Sequence, residues 1–196
     1  MIKLRVLALL LLASLSLGAQ AEWQLKANDS ALYFVSIKKG SVAEIHQFKA
    51  LTGQVDKAGK LALAIDLASV DTAIEIRDQR MREHLFDTDQ YAQATLTAEL
   101  DISAYQALKR GESVRIEPSL NLNLHGQSQQ LDASLAITKT ADGSLRVTTL
   151  KPVIVNASDF ALVEGVEKLR ELAGLPSIAQ AVPVTVELVF TPSPQK

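Results

Sequence analysis

Alternation with a period of two runs through most of this chain and leaves few architectures open to it. Leu61, Leu63, Ile65 and Leu67 share one parity, with Ala62, Ala64 and Asp66 on the other. Ala94, Leu96, Ala98 and Leu100 repeat this against Thr95, Thr97 and Glu99. Val114, Ile116, Leu120, Leu122 and Leu124 oppose Arg115, Glu117, Ser119, Asn121 and Asn123. Leu131, Ala133, Leu135 and Ile137 follow a turn at Gly126, Gln127 and Ser128. Successive strand side chains point to opposite faces, so each segment has one buried and one wet face. Further strands are expected over residues 32–37, 42–48, 145–155 and 182–190. In the first of these both parities are apolar, which predicts cover on both faces. Pro152 marks an edge or a bulge, and Asp142-Gly143 a hairpin turn. About eight strands with short links make an all-β, antiparallel barrel or sandwich, and periodicity does not choose between the two.

The alternation stops across residues 69–91. Ile76, Arg80, Glu83, His84 and Asp87 follow a helix-like spacing, and Arg77, Arg80 and Arg82 crowd beside Asp78, Glu83 and Asp87. A stretch this polar between apolar strands reads as a surface excursion with a short helix. Leu85 and Phe86 form a bulky apolar pair able to fold back onto the sheet. A second helix is expected over residues 164–175, with Val166, Leu169, Leu172 and Ala173 as its stripe. A shorter one is expected over residues 105–109.

Lys3 and Arg5, the apolar run after them and Ala19-Gln20-Ala21 read as a signal peptide over residues 1–21, cleaved before Glu22. Residues 22–191 are then one domain and residues 192–196 a tail. Cleavage moves the net charge from −2 to −4, with 18 basic against 22 acidic residues left. That balance argues against nucleic acid as a partner. With no cysteine, the chain is exported without disulfides and without a lipidated N-terminus. No later segment is long and apolar enough for an integral helical span. An outer-membrane barrel would need aromatic girdles at its strand ends, and the five Phe, three Tyr and one Trp are not so placed.

The excursion resembles the signature of the YceI-like family. Ser69, Asp71, Thr72, Arg77, Asp78, Met81, Phe86, Asp87 and Tyr91 stand on its pattern. Ser30, Leu32, Phe34, Gly40, Phe48 and Gly53 fit its opening hairpin. Leu122 to Gly126 and Asn156 to Leu162 look like two further pieces. The departures are His46 and Ala161 for Gly, Arg80 for His, Leu85 for Phe, Ala92 for Pro and Ala157 for Arg. The resemblance spans nearly all of the mature chain. It implies an eight-stranded antiparallel lipocalin-like barrel with one or two short helices in its connections. It also implies a periplasmic protein that binds polyisoprenoid or other long-chain lipid inside the barrel.

The residues offer little for catalysis. His125 to Ser128 lacks the second Gly of a nucleophile elbow and reads as a hairpin turn. His46, His84 and His125 lack ligand spacing and read as lone surface or turn residues. Asp78 and Asp87 sit among arginines, where ion pairing or helix capping suits them better than acid-base work. No enzyme, metal or cofactor is therefore expected. An eight-stranded barrel either fills with its own side chains or holds one ligand. The expected lining is Leu32, Phe34, Phe48, Leu63, Ile65, Leu96, Leu122, Leu135, Val147, Val186 and Leu188, with Leu85 and Phe86 near the mouth. The resemblance points to an isoprenoid quinone or polyprenol as ligand, ahead of a fatty acid or fatty amide. A filled barrel serving as a protein-interaction or stress-response module is the alternative, and a homodimer is compatible with either.

Overall fold

The computed structural model describes residues 21–193. Fourteen antiparallel segments make one sheet. They are β1 (Ala21–Leu25), β2 (Ala31–Lys38), β3 (Val42–Phe48), β4 (Leu51–Asp56), β5 (Lys60–Asp66), β6 (Val70–Asp71) and β7 (Gln93–Glu99). Then come β8 (Ser113–Ile116), β9 (Ser119–Leu124), β10 (Gln127–Asp132), β11 (Leu135–Lys139), β12 (Leu145–Thr149), β13 (Val153–Asn156) and β14 (Ala181–Pro192). Three short helices interrupt them: α1 (Glu75–Arg80), which continues into a π-helical turn over Met81–Phe86, α2 (Ser103–Gln106) and α3 (Val163–Leu172).

Fourteen exceeds the expected eight because six runs are broken in mid-course. A one-turn 3-10 helix at Ala27–Asp29 separates β1 from β2, and another at Leu67–Ser69 separates β5 from β6. Short irregular links split β3 from β4, β8 from β9, β10 from β11 and β12 from β13. Two of these links carry Pro118 and Pro152, which have no N–H to give to a ladder. Joined across the breaks, the segments form eight runs, each pairing with the next. The unbroken β14 pairs with β12 and β13 on one side and with β1 and β2 on the other. Traced by hydrogen bonds alone, the path runs open from β10 to β8. The covalent continuity of β8 with β9, and of β10 with β11, brings it round.

Register puts the alternating aliphatics inside. Leu63 opposes Leu96, Leu96 opposes Leu122, Val147 opposes Leu188, and Val186 opposes Leu32. The double cover expected for residues 32–37 does not occur: Leu32 and Phe34 are buried, but Tyr33 is 41% exposed. α2 begins at Ser103, two residues before the expected start, because the Asp101 carboxylate accepts from the Ser103 N–H and hydroxyl. α3 ends at Leu172, which is exposed rather than part of a buried stripe. The signal-peptide expectation lies outside the described residues except for Ala21, as does the tail beyond Ser193. No helix among the described residues is long and apolar enough to cross a membrane.

Behind β13, a one-turn 3-10 helix at Ala157–Phe160 plants Phe160 in the core at 0% exposure. Ala161 then turns the chain with φ of 54°. Left-handed backbone costs a residue with a Cβ roughly 1–2 kcal/mol, part of which glycine returns through its freer unfolded state. Ala161→Gly should raise the unfolding free energy by about 0.5–1 kcal/mol. Urea denaturation would show a higher midpoint at constant slope, and an unchanged midpoint would count against strain here.

Candidate functional site

Three cavities stack along the interior. The lowest, about 150 Å³, has walls that are aliphatic apart from Trp23, Tyr105, Thr149 and Phe190. The middle one, also about 150 Å³, lies against Phe34, Phe48, Leu85 and Phe86, with Val166 of α3 above. The third, about 340 Å³, opens beneath α1 and α3 and mixes apolar with charged walls. The lower two share Leu32, Ile65, Leu122, Val155 and Val184. The upper two share Phe34, Leu85, Val166 and Val182. Shared walls set the three side by side in one row. An apolar void near 150 Å³ stays dry and accepts a small hydrocarbon. Left empty, it costs on the order of 3–4 kcal/mol at about 24 cal/mol per Å³.

The structure places the expected residues as follows. Leu63, Leu96, Leu135, Val147, Val186 and Leu188 line the lowest cavity. Leu32, Ile65 and Leu122 stand between the lower two. Phe48 and Phe86 line the middle, and Phe34 and Leu85 separate it from the mouth. Sequence reading left out Trp23, Val55 and Tyr105 in the lowest cavity and nearly the whole mouth. Val55 belongs to β4, which the alternation does not reveal. Its middle inward position is Gly53, where a Cβ would lie 2.9 Å from Leu63 Cδ1.

The cap is held by contacts between distant parts of the chain. Gly165 lets α3 lie against the π-helical turn; a Cβ there would sit 2.7 Å from the His84 carbonyl oxygen and 2.9 Å from Leu85 Cα. Glu44 of β3 takes Lys38 Nζ and Arg77 Nη1, each at 2.7 Å. Those cations hold its carboxyl below the usual range against the opposing effect of burial. Arg77 also donates to the Thr72 carbonyl oxygen at 2.6 Å, and Arg80 to the Leu172 carbonyl oxygen at 3.2 Å, joining α1 to the end of α3. Asp78 is buried and makes no ion pair with the arginines beside it in sequence. It accepts from the Thr72 N–H at 2.8 Å and hydroxyl at 2.5 Å, which ties the turn before α1 to the helix but does not cap its N-terminus, where Ile74 makes no side-chain cap.

His46 corrects the surface reading. It is 3% exposed, lines the mouth, packs on Phe34 with ring centroids 5.1 Å apart, and has Nε2 2.7 Å from Ser36 Oγ. The signal lies in the sequence: His46 and Glu44 share the parity of the inward Phe48. His125 does sit in a turn, against Tyr91 at 4.4 Å. Among the described residues no group of three or more His, Cys, Asp or Glu could hold a metal ion.

Burial, and secondarily Arg77, push the His46 imidazole below its ordinary value. The unfolded chain therefore takes up this proton first, and stability should fall as pH drops through about 6.5. Urea midpoints at neutral and mildly acid pH would show a shallower decline for His46→Phe than for the parent. Parallel declines would place the titration elsewhere.

A family model described as YceI-like domain matches residues 23–190. The chain is similar to a solved polyisoprenoid binding domain from Saccharophagus degradans implicated in plant cell wall breakdown. Identity is 37%, the TM-score is 0.87, and the match covers 89% of this chain and 100% of that one. BcnA of Burkholderia cenocepacia is 19% identical with a TM-score of 0.66, covering 85% and 99%. The Campylobacter jejuni YCEI protein is 20% identical with a TM-score of 0.50, covering 76% and 85%. These two share the fold. No curated protein matches the chain.

Proposed function

The chain belongs to the YceI-like family, and on that premise we propose that it holds one long-chain apolar lipid, tail inward, in the stacked cavities of its barrel. The observation that carries this reading is the aliphatic row from the lowest cavity to the mouth. The ligand class follows the Saccharophagus degradans relative named for polyisoprenoid binding: an isoprenoid quinone or polyprenol, ahead of a fatty acid or fatty amide. The setting is the periplasm, reached through the signal peptide read over residues 1–21, and the role is sequestration or carriage. No reaction is part of it.

Burying a methylene is worth about 0.8 kcal/mol, so a dozen carbons supply roughly 10 kcal/mol before ordering costs. The occupant would also remove the penalty of the empty chambers and stabilise the fold by linkage.

Protein purified from its native periplasm without detergent should yield a stoichiometric prenyl-chain lipid on organic extraction and mass spectrometry. Stripping that lipid should lower the thermal midpoint, and adding it back should restore it. Leu96→Trp, which places an indole in the lowest cavity, should abolish retention while leaving the circular dichroism spectrum unchanged. An empty extract from a folded protein that also refuses added prenyl lipid would mean that the cavities are not used this way.

A further inference from the structure

The inner face of the β2–β3 hairpin changes character as it rises. On β2 it runs Leu32, Phe34, Ser36, Lys38; on β3 the same face runs Phe48, His46, Glu44. Register sets Leu32 against Phe48, Phe34 against His46 and Ser36 against Glu44. Ile45, between the two polar residues, points outward and is 72% exposed. The ordinary pattern is thus inverted at the mouth, with polar groups inside and an isoleucine in water. Such an inversion lowers stability and calls for a use.

Two polar atoms here are buried without a partner: His46 Nδ1 and Arg77 Nε. Donation from the Ser36 hydroxyl to Nε2 leaves only the Nδ1–H unsatisfied. The other tautomer leaves both the hydroxyl proton and the Nδ1 lone pair without partners, so we assign the first. Both orphan groups are then donors, and what they lack is an acceptor oxygen. The charges around them are engaged. Lys38 and Arg77 share Glu44 at 2.7 Å each, and Arg80 is turned to the Leu172 carbonyl oxygen. A carboxylate in this chamber would face Glu44.

We propose that the mouth cavity, which both residues line, is a head-group subsite for an uncharged carbonyl oxygen, read by the His46 Nδ1–H and the Arg77 Nε–H. This rests on the tail-binding reading above. The tail supplies affinity in a tunnel that cannot tell one prenyl chain from another, and His46 supplies the choice of head.

The test uses three probes with one geranylgeranyl tail: a naphthoquinone, the hydrocarbon without a head oxygen, and the carboxylic acid. The mature protein should prefer the quinone. His46→Phe, which keeps a ring against Phe34, should weaken the quinone about tenfold, the worth of one buried hydrogen bond, and leave the hydrocarbon unchanged. The His46 Nδ1 nitrogen resonance of the unaltered protein should shift on adding quinone and not on adding hydrocarbon. If the three probes bind and lose affinity equally, or the quinone binds with no change at His46 by either readout, this proposal is overturned and the tunnel reading survives. Preference for the acid overturns the uncharged head. If no probe binds the unaltered protein, both proposals fall together.

Discussion

Eight strand runs in a ring enclose a bore that aliphatic side chains alone do not fill, and much of the remaining structure answers to that gap. Leu, Ile and Val from facing walls bury one another along the sheet but leave the axis without contacts. The few phenylalanines stand at the edges. Phe34, Phe48 and Phe86 run in tilted contact, 5.3 and 5.7 Å between successive centroids, along the middle cavity. Phe190 lies on the wall of the lowest one, and Phe160 is spent anchoring the turn after β13. The cavities beside them remain, and left empty they cost several kcal/mol.

The cap is made of different material from the ring. Backbone ladders hold the ring; the mouth is covered by α1, its π-helical turn and α3, which meet at Gly165, through a few apolar side chains and through the Arg80 hydrogen bond to the Leu172 carbonyl oxygen. Partly exposed ion pairs such as Lys38–Glu44 and Arg77–Glu44 add little stability each. They fix where the hairpin end and α1 stand relative to each other. A cover with so few ladder hydrogen bonds opens at lower free energy than the sheet beneath it. On the proposed carrier reading, that free-energy difference between cap and ring would let the barrel exchange its contents without unfolding.

Sequence periodicity was enough to find the walls, because a period of two on a closed sheet assigns inside and outside with no further information. Leu63, Leu96 and Leu122 could be named for that reason alone. The strand at β4 was hidden because its central inward position is Gly53, which leaves room for Leu63 and breaks the apolar alternation. The eight expected strands became fourteen segments because a hydrophobic pattern survives a bulge that hydrogen bonding does not: Ile116, Pro118 and Leu120 keep one parity across the break between β8 and β9. The mouth was misread for the opposite reason. Periodicity reports apolar faces, and at His46 and Glu44 the inward face is polar. The family resemblance located the excursion, but its pattern carries Gly where this chain has His46, so it was silent there as well.

A barrel of this kind separates affinity from selectivity. Apolar burial grows with the length of a chain and is indifferent to its chemistry, since one methylene resembles the next. Discrimination needs a group whose hydrogen bond is satisfied by one head and left open by another, in a place where water cannot substitute. The walls of the lowest two cavities are almost wholly apolar, with Trp23 Nε1 and Tyr105 Oη the buried polar atoms without a partner among the residues of the lowest one. At the mouth the inward face of a single hairpin turns polar within three residues, where His46 and Arg77 each hold a buried donor without an acceptor. In the proposed reading, a preference among heads on tails of equal length is set there.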